Sequence, residues 1–232
     1  MWIHHHYEVT LDNGMTVFFK VGEKPEWNDV QHEANVVDFL IENKIPAPHV
    51  LAVDTSNSII PYPYIIQERI GGIRLCNLLS LVNQDEQVII YETIGKLYRK
   101  IHSIKNDHSG LWGEGPRTIR SPISPNDYMY NAEIVNGSGM KALAQGIISK
   151  STYQRVVTYW QDNLDYLKSH QPSLIHFSPF LWNIYLEKQA GTWNITKLMA
   201  TGDVMWWDTA YDLAELQYPS SDTLIKQTGA LF

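Results

Sequence analysis

Residues 7–21 predict that the chain begins with a β-hairpin. This segment reads YEVTLDNGMTVFFKV, so apolar and polar residues alternate on both sides of Asp12-Asn13-Gly14. Alternation favours strands with one buried face, and Asn-Gly between two such runs is typical of a tight hairpin turn. Two further β patterns, HVLAVD and YPYIIQERI, end at Gly71-Gly72. The first 72 residues are therefore expected to form a small antiparallel sheet.

One helix is expected within this β-rich part. Asn28 can cap its first turn with Gln31 at the third position, and Pro46 and Pro48 end it after Asn43. The helical spacing places four apolar residues on one face, namely Val30, Ala34, Val37 and Ile41.

After Gly72 the apolar spacing becomes helical. Asn83 and Glu86 form a capping pair, and a buried helix is expected to follow with an apolar stripe of Ile90, Ile94, Leu97 and Ile101. Residues 105–150 are rich in Gly, Pro, Ser and Asn, and predict a surface insertion with a weaker helical segment at 128–134. A further helix is expected from Ser151 and Gln154, with its apolar side formed by Val156, Trp160, Leu164 and Leu167.

Two short strand patterns, SLIHF and NIYLEK, follow these helices, and WNITKLMA is a pairing partner for the second. The simplest arrangement is an α+β protein with two lobes. We expect a β-rich N-terminal lobe at residues 1–72 and a mainly helical C-terminal lobe at residues 73–232.

Composition narrows the classes of function. The chain has 232 residues, 44% of them apolar, and a net charge of -7 with dispersed Lys and Arg. Such a charge distribution argues against binding to nucleic acid or to an anionic membrane and favours a cationic partner. Because Cys76 is the only cysteine and no run of about 20 apolar residues occurs, a cytoplasmic protein without a membrane helix is expected.

The segment HFSPFLWNIYLEK and the later run YDLAEL carry the most specific pattern. The spacing of His176, Asn183 and 211–214 resembles the catalytic region of the aminoglycoside phosphotransferase and choline kinase-like family. That region has the order His-x-Asp-x-x-x-x-Asn, a hairpin, a metal-binding Asp and Tyr-Asp-Leu-Ala. The resemblance extends over residues 7–216 and implies a protein-kinase-like, two-lobed fold.

The resemblance also implies a set of functional residues and cofactors. ATP and magnesium are the expected cofactors, and the acceptor is a hydroxyl of a small molecule such as an aminoglycoside, amino alcohol or sugar. The implied nucleotide-binding positions are Lys20 for the phosphates, Glu33 as its partner, and the backbone of Glu68 and Ile70 for the adenine ring. His176 would brace the catalytic loop at 176–183, Asn183 would face the metal, and Asp212 would anchor the loop by accepting backbone hydrogen bonds.

This chain departs from the family pattern at the most important position. Ser178 stands where an Asp should orient the acceptor hydroxyl, and a serine is neither anionic at neutral pH nor a good proton acceptor. Read without gaps, the metal-binding Asp falls at Ala200; with a short deletion it falls at Asp203, which we take as the ligand. Only residues 1–6 precede the hairpin, where the family has a strand and a phosphate-covering loop, so this roof is expected to be missing.

These departures predict a phosphotransferase-family protein with impaired catalysis that acts as a nucleotide-binding, ligand-binding or regulatory module. The alternative is an active ATP- and magnesium-dependent kinase with an unusual site. Three other patterns are interpreted as structural. We interpret His4, His5 and His6 as strand residues without a metal, Trp206 and Trp207 as packing residues, and residues 126–128 as a solvated loop.

Overall fold

A computed structural model describes residues 4–22, 29–115, 118–124, 130–131, 134–169 and 171–217 of the chain. The strands are β1 (His4–Thr10), β2 (Thr16–Gly22), β3 (Val50–Asp54), β4 (Tyr64–Glu68), β5 (Ile73–Arg74), β6 (Gly110–Trp112), β7 (Ile119–Pro122), β8 (Ser173–Ile175), β9 (Ile184–Gln189), β10 (Thr192–Leu198) and β11 (Met205–Trp207). The helices are α1 (Asp29–Glu42), α2 (Leu75–Leu78), α3 (Gln84–His102), α4 (Ser138–Ala144), α5 (Lys150–Asp162), α6 (Leu164–Ser169) and α7 (Ala210–Gln217). Two short 3₁₀ helices span Leu181–Asn183 and Thr201–Asp203.

The N-terminal sheet has the strand order β1-β2-β4-β3, with antiparallel neighbours. The predicted hairpin is confirmed: β1 and β2 pair from His4↔Gly22 to Thr10↔Thr16. Gly14 adopts a φ of 81° in the turn, a conformation that a glycine adopts without steric cost. The turn closes through the Leu11 amide, which donates to the Met15 carbonyl at 2.8 Å.

Helix α1 covers one face of this sheet. The predicted apolar face is confirmed, with Val30, Ala34 and Val37 buried and Ile41 packed against the core. Asn28, the expected cap, lies outside the described residues. The helix ends where Lys44 takes a φ of 58° and the Ile45 amide donates to the Leu40 carbonyl at 2.8 Å. This left-handed ending lies just before Pro46, which the sequence predicted to end the helix.

Helix α3 is the central helix of the C-terminal part. The Asn83 side chain accepts a hydrogen bond from the Glu86 amide at 2.9 Å, which confirms the capping pair. The predicted stripe is buried in full, with Ile90, Ile94, Leu97 and Ile101 all inside the main apolar cluster. Strands β5, β9 and β10 form a second sheet in the order β10-β9-β5.

A third sheet brings part of the 105–150 segment into the core. Its order is β7-β6-β11-β8, so β6 pairs with β11 although almost one hundred residues separate them. Trp112 on β6 is 1% exposed and stacks on Trp206 with ring centroids 5.4 Å apart. The expectation of a surface location is therefore wrong for Gly110 and Trp112, because pairing with β11 carries them inside, whereas Leu111 between them is 40% exposed. Trp206 and Trp207 pack in the core as predicted.

The helix expected from Ser151 begins earlier. Ser149 caps α5 by accepting from the Thr152 amide at 3.0 Å, since that amide is the third of the helix and lies within reach of its oxygen. The apolar side of α5 is also different from the prediction, because Val156 is 44% exposed and no α5 side chain is fully buried. The weaker helical pattern at 128–134 lies mostly outside the described residues. None of the helices in the described segments is long and apolar enough to span a membrane.

Candidate active site

A cleft of about 820 Å³ lies where the N-terminal sheet and α1 face the 176–183 loop. Most of the residues singled out from the sequence meet there. Its lining includes Lys20, Glu33, Ile70, Asn183, Ala200 and Asp203. The cleft therefore brings together residues as far apart in the chain as Lys20 and Asp203.

Lys20 and Glu33 line the cleft and form an ion pair. Lys20 lies on β2 opposite Ile65 of β4, and Glu33 projects from the first turns of α1. The two side chains are 15% and 7% exposed, so the pair is largely removed from water. Gln67, which is fully buried on β4, donates to the other carboxylate oxygen of Glu33 at 3.5 Å. The structure thus brings the two predicted residues together.

The two residues expected at the adenine ring have different surroundings. Ile70 lines the cleft. The Glu68 amide already donates to the His49 carbonyl at 2.9 Å, and its carboxylate accepts from the His49 amide and pairs with Lys197. Burial would raise the pKa of Glu68, but the His49 hydrogen bond and the Lys197 ammonium together lower it. Its side chain therefore holds β4 against β3 and β10.

The 176–183 loop is anchored by a buried carboxylate. Asp212 on α7 is 0% exposed, and its two oxygens accept from the amides of His176 at 2.8 Å and Phe177 at 2.9 Å. His102 on α3 contacts the same carboxylate at 2.9 Å. These bonds hold Phe177 at a φ of 66°, a conformation unusual for a bulky residue. The predicted anchoring role of Asp212 is confirmed by these contacts.

His176 braces the loop from inside the protein. Its Nε2 lies 2.7 Å from the Met199 carbonyl and its Nδ1 lies 3.2 Å from the Tyr98 hydroxyl. Burial lowers the pKa of His176, which favours a neutral ring. A neutral ring that donates from Nε2 and accepts from Tyr98 at Nδ1 satisfies both contacts.

A carboxylate lies directly beside Ser178. The serine hydroxyl donates to Oδ2 of Asp203 at 2.6 Å, although 25 positions separate the two residues. The Asn183 side-chain amide donates to the Ser178 carbonyl at 2.9 Å. Ser178, Asn183 and Asp203 therefore form one connected group, which the spacing in the sequence gave no way to detect.

Ala200 and Asp203 occupy the two ends of one tight turn. Ala200 has a φ of 57° and precedes the 3₁₀ helix that ends at Asp203. The turn is held to the 176–183 loop by the Met199 amide, which donates to the Asn183 carbonyl at 2.8 Å. It is also held to α1, because the Gly202 carbonyl lies 3.1 Å from Nε2 of His32. Both candidate positions for the metal-binding residue thus line the cleft.

The donor atoms at this end of the cleft suit magnesium bound mainly by a nucleotide. Asn183 can offer an amide oxygen and Asp203 a carboxylate, both of which are ligand types that magnesium accepts. Within the described segments no cluster of three or more His, Cys, Asp or Glu could hold a metal ion. Magnesium often takes one or two protein ligands and completes its shell with substrate phosphates and water. The residues present therefore fit a metal–nucleotide complex rather than a free ion.

Several residues in the lining were missed by the sequence reasoning. Phe18, Arg74, Arg120 and Tyr185 all face the cleft. The Arg74 guanidinium donates to the Tyr185 hydroxyl and lies 5.6 Å from the centre of that ring. Phe18 belongs to β2, two positions before Lys20, so strand alternation could have placed both side chains on one face. No comparable sequence pattern indicates that Arg74 and Arg120 face the cleft.

The sheet with one helix, the Lys20–Glu33 pair and the anchored loop together define a kinase-like fold with a cleft lined by both parts of the chain. The chain matches the family model described as the phosphotransferase enzyme family over residues 2–227. It therefore belongs to that family. No curated protein matches the chain.

Solved structures with the same fold include three aminoglycoside phosphotransferases. APH(4)-Ia, as a complex of a thermostable mutant with ADP and hygromycin B, is 14% identical, with a TM-score of 0.58 over 92% of this chain and 70% of that one. APH(2")-IIia, in complex with GDP and kanamycin, is 10% identical, with a TM-score of 0.64 over 98% and 77%. APH(3'')-Id from Streptomyces rimosus is 14% identical, with a TM-score of 0.54 over 91% and 77%. These similarities confirm the predicted α+β, protein-kinase-like fold.

Proposed function

We propose that the protein binds ATP with magnesium in the cleft and that its transfer of phosphate to an external alcohol is impaired. The observation that carries this proposal is that the Lys20–Glu33 pair faces a catalytic loop beside which a single carboxylate, Asp203, lines the cleft. The Lys20–Glu33 pair supports binding of phosphate, whereas Asp203 is the one carboxylate beside the loop that could hold magnesium or orient an acceptor. We also propose that the chain divides after residue 72 into the two lobes that the sequence predicted.

Lys20 would hold the phosphates of the nucleotide. A lysine ammonium neutralises phosphate charge, and Glu33 fixes the direction of its side chain. The Glu33 carboxylate is in turn contacted by Gln67. Ile70 and the aromatic side chains of Phe18 and Tyr185 provide apolar surface in the same cleft for a purine ring. A cytoplasmic location, expected from the sequence, would supply the nucleotide.

The acceptor side explains the expected impairment. In this fold one carboxylate orients the acceptor hydroxyl and another helps to hold magnesium. Here Ser178 and Ala200 stand at the positions of those carboxylates in the ungapped reading, and Asp203 alone remains. General-base assistance is worth about a hundredfold to ten-thousandfold in rate, or about 3–5 kcal/mol of barrier. External transfer should fall by a factor in that range.

Asn183 and Asp203 would be the protein ligands of magnesium. When bound, the metal supplies positive charge that neutralises the phosphates. Asn183 is oriented for this purpose by its bond to the Ser178 carbonyl, which uses its nitrogen and leaves its side-chain oxygen to face another partner. Asp203 is oriented by the Ser178 hydroxyl.

The charged side chains that line the cleft indicate the charge of the acceptor. Arg74 and Arg120 line it, and neither forms an ion pair with any residue that the structure describes. Glu33 is already paired with Lys20, so Asp203 is the carboxylate of the described lining that remains for a cationic group. We therefore propose a small-molecule alcohol that is neutral or anionic, in place of the cationic partner suggested by the net charge.

A second candidate function is an active kinase. It is favoured by the position of Asp203, which lies within hydrogen-bond distance of Ser178 and so near the place of the missing acceptor-orienting group. Transfer to small-molecule alcohols is also what the ligands of the related structures suggest, since kanamycin and hygromycin B occupy two of them.

Calorimetric titration with ATP and magnesium, together with ADP release from a panel of alcohols, separates these functions. The unmodified protein should bind ATP, Lys20→Met should not, and the exposed strand variant Glu187→Gln should bind as the unmodified protein does. ADP release should be weak in the unmodified protein and should increase in Ser178→Asp. Absence of ATP binding would refute the proposal, and rapid alcohol-dependent ADP release by the unmodified protein would favour the active kinase.

A further inference from the structure

Strand β1 forms one edge of the N-terminal sheet. Among the strands that the structure describes, β2 alone pairs with it, through the uninterrupted ladder of the first hairpin. From His5 to Thr10 every residue except Val9 is exposed. An open edge of this kind presents unpaired backbone amides and carbonyls, which can bind another strand. The outer side of β1 is therefore a candidate interaction surface.

The hairpin shows which backbone groups of β1 face this outer side. The Leu11 amide donates to the Met15 carbonyl, so these two residues form a hydrogen-bonded pair of the ladder. Such pairs alternate along antiparallel strands, and the odd-numbered residues of β1 therefore direct their amides and carbonyls toward β2. The even-numbered residues direct theirs outward, namely His4, His6, Glu8 and Thr10.

The sequence of β1 contains few of the features that prevent pairing at an edge. Proteins protect such edges with lysine, proline or a bulge. β1 reads HHHYEVT and pairs with β2 without a register shift, so none of these features occurs in it. Its one carboxylate, Glu8, lies 3.5 Å from Arg69, and both side chains are more than 60% exposed. The edge can thus accept a strand that matches this carboxylate.

A second copy of β1 matches the edge in one antiparallel register. The register that uses the whole strand places His4 opposite Thr10 of the other copy and puts a two-fold axis at Tyr7. Outward-facing residues then stand opposite one another, and their backbone groups form a complete ladder. A shift by one residue would set them against residues that face β2. A shift by two leaves both ends unpaired, and in one direction it brings the two Glu8 carboxylates together.

The side chains also match in this register. Glu8 of each copy lies opposite His6 of the other, and both project toward the same face of the sheet because they are two positions apart. A carboxylate opposite an imidazole gives a cross-strand hydrogen bond or ion pair, which the two-fold axis repeats. On the other face the two Tyr7 side chains meet at the axis, and Tyr7 is 51% exposed in the single chain.

We propose that β1 pairs with β1 of a second copy of this chain and joins the two N-terminal sheets into one. His6 lines the cleft, and its ring centroid lies 5.4 Å from that of Phe18. The second copy therefore extends the sheet beyond His6 and places its own Glu8 carboxylate at the rim of the cleft. Because one added strand buries less surface than a standard interface, the association is reversible and in the micromolar range. This pairing does not depend on nucleotide binding.

The first test is a disulfide that reports the register, in full-length chains whose Cys76 is replaced by serine. Opposite residues of a non-hydrogen-bonded pair have Cα atoms about 4.5 Å apart, which a disulfide can span. Tyr7→Cys should therefore give a covalent dimer under mild oxidation. The control is His5→Cys, an exposed position whose two copies would be more than about 13 Å apart, and it should stay monomeric. Mixing His5→Cys chains with Val9→Cys chains should restore the cross-link.

The second test is light scattering over a range of protein concentrations. The average mass of the unmodified protein should rise toward that of two chains as the concentration increases. His6→Glu sets like charges opposite each other twice and should raise the dissociation constant about fivefold or more. Adding Glu8→Lys to His6→Glu restores opposite charges and should recover the dimer. Gln189→Glu, which adds the same charge at an exposed position of β9, should leave the dissociation constant unchanged.

Three results would overturn the proposal. The first is a chain that stays monomeric at its highest soluble concentration. The second is a dimer in which Tyr7→Cys cross-links no faster than His5→Cys, because it would form through another surface. The third is slow hydrogen exchange of the outward β1 amides at every concentration, because a segment of the same chain would then cover the edge. Exchange that slows as the concentration rises is the expected result.

Discussion

Replacing Lys20 by methionine tests whether the Lys20–Glu33 pair is as desolvated as its surroundings indicate. The substitution keeps the apolar stem of the side chain but removes the charge that compensates Glu33. The carboxylate that remains is 7% exposed, and Gln67 contacts it through a long hydrogen bond of 3.5 Å. Breaking a buried ion pair by removing one partner costs about 3–5 kcal/mol, and we expect about 3 kcal/mol here because the Lys20 side chain retains 15% exposure.

The assay is equilibrium unfolding in urea without nucleotide. At a slope of about 2 kcal/mol per molar urea, the loss should lower the unfolding midpoint by about 1.5 M. The matched control is Arg69→Met, which breaks the ion pair with Glu8, whose side chains are 61% and 63% exposed. Exposed pairs contribute less than about 1 kcal/mol, so this midpoint should move by less than about 0.5 M. Adding Glu33→Gln to Lys20→Met should recover part of the loss.

Equal midpoint shifts for Lys20→Met and Arg69→Met would refute this reasoning. They would mean that water solvates Glu33 in the folded protein, and that a change in nucleotide binding on losing Lys20 reports only a lost contact with phosphate. A large shift in Lys20→Met alone would show that the pair contributes to stability, in addition to the phosphate binding proposed for Lys20. Stability must then be measured beside every binding experiment on these residues.

Two further predictions concern His176 and Gly72. Burial lowers the pKa of His176 below its ordinary value of 6.5, so between the two pKa values the unfolded chain binds more protons than the folded one. The contribution of His176 to stability should therefore be full above about pH 6.5 and should fall as the pH drops toward the folded pKa. The limiting slope is about 1.4 kcal/mol per pH unit. His176→Gln, which can keep both side-chain contacts, should flatten this part of a urea-unfolding pH profile, and an unchanged profile would contradict the assignment. Gly72 has a φ of 91° and a Cβ added there would lie 2.7 Å from the Leu186 carbonyl oxygen, so Gly72→Ala should cost at least about 2 kcal/mol in urea unfolding. The neighbouring Gly71→Ala, with no atom within 4 Å of the added Cβ, should stay within about 0.5 kcal/mol, and equal losses would contradict the steric explanation.

Local signals account for the elements that the sequence predicted correctly. The β1–β2 hairpin follows from an Asn-Gly turn between alternating residues, and α3 follows from its Asn83 cap and a regular apolar stripe. Each of these signals lies within about 20 residues and needs no partner elsewhere. Trp112 gave no such signal, because it lies in a short segment among Gly, Pro and Ser. Its burial depends on pairing with β11, which no local pattern reports.

The residues of the candidate site likewise divide into those that the sequence indicated and those that only the fold brings together. Family spacing brought Lys20, Glu33, His176 and Asn183 to attention, because each lies at a fixed distance from a recognisable element. The contact between Ser178 and Asp203 depends on how a hairpin and a left-handed turn at Ala200 return the chain to the loop. The sequence therefore predicted the loss of a carboxylate at position 178, whereas the fold brings the Asp203 carboxylate to 2.6 Å from the Ser178 hydroxyl. Arg74 and Arg120 were missed for the same reason.

The anchoring of the loop also determines what the Ser178→Asp variant can reveal. The side chains of Asp212 and Asn183 form hydrogen bonds with backbone groups of the loop at and before position 178. The substitution should therefore change the chemistry rather than the shape of the loop. A carboxylate at 178 would, however, start in contact with Asp203, whose oxygen now lies 2.6 Å from the serine hydroxyl. Two carboxylates at such a distance disfavour each other's ionised forms, and part of the introduced charge is lost to a shared proton. We therefore expect the variant to gain only part of the missing activity. Because a cation between the two carboxylates relieves their repulsion, that gain should grow as the magnesium concentration is raised.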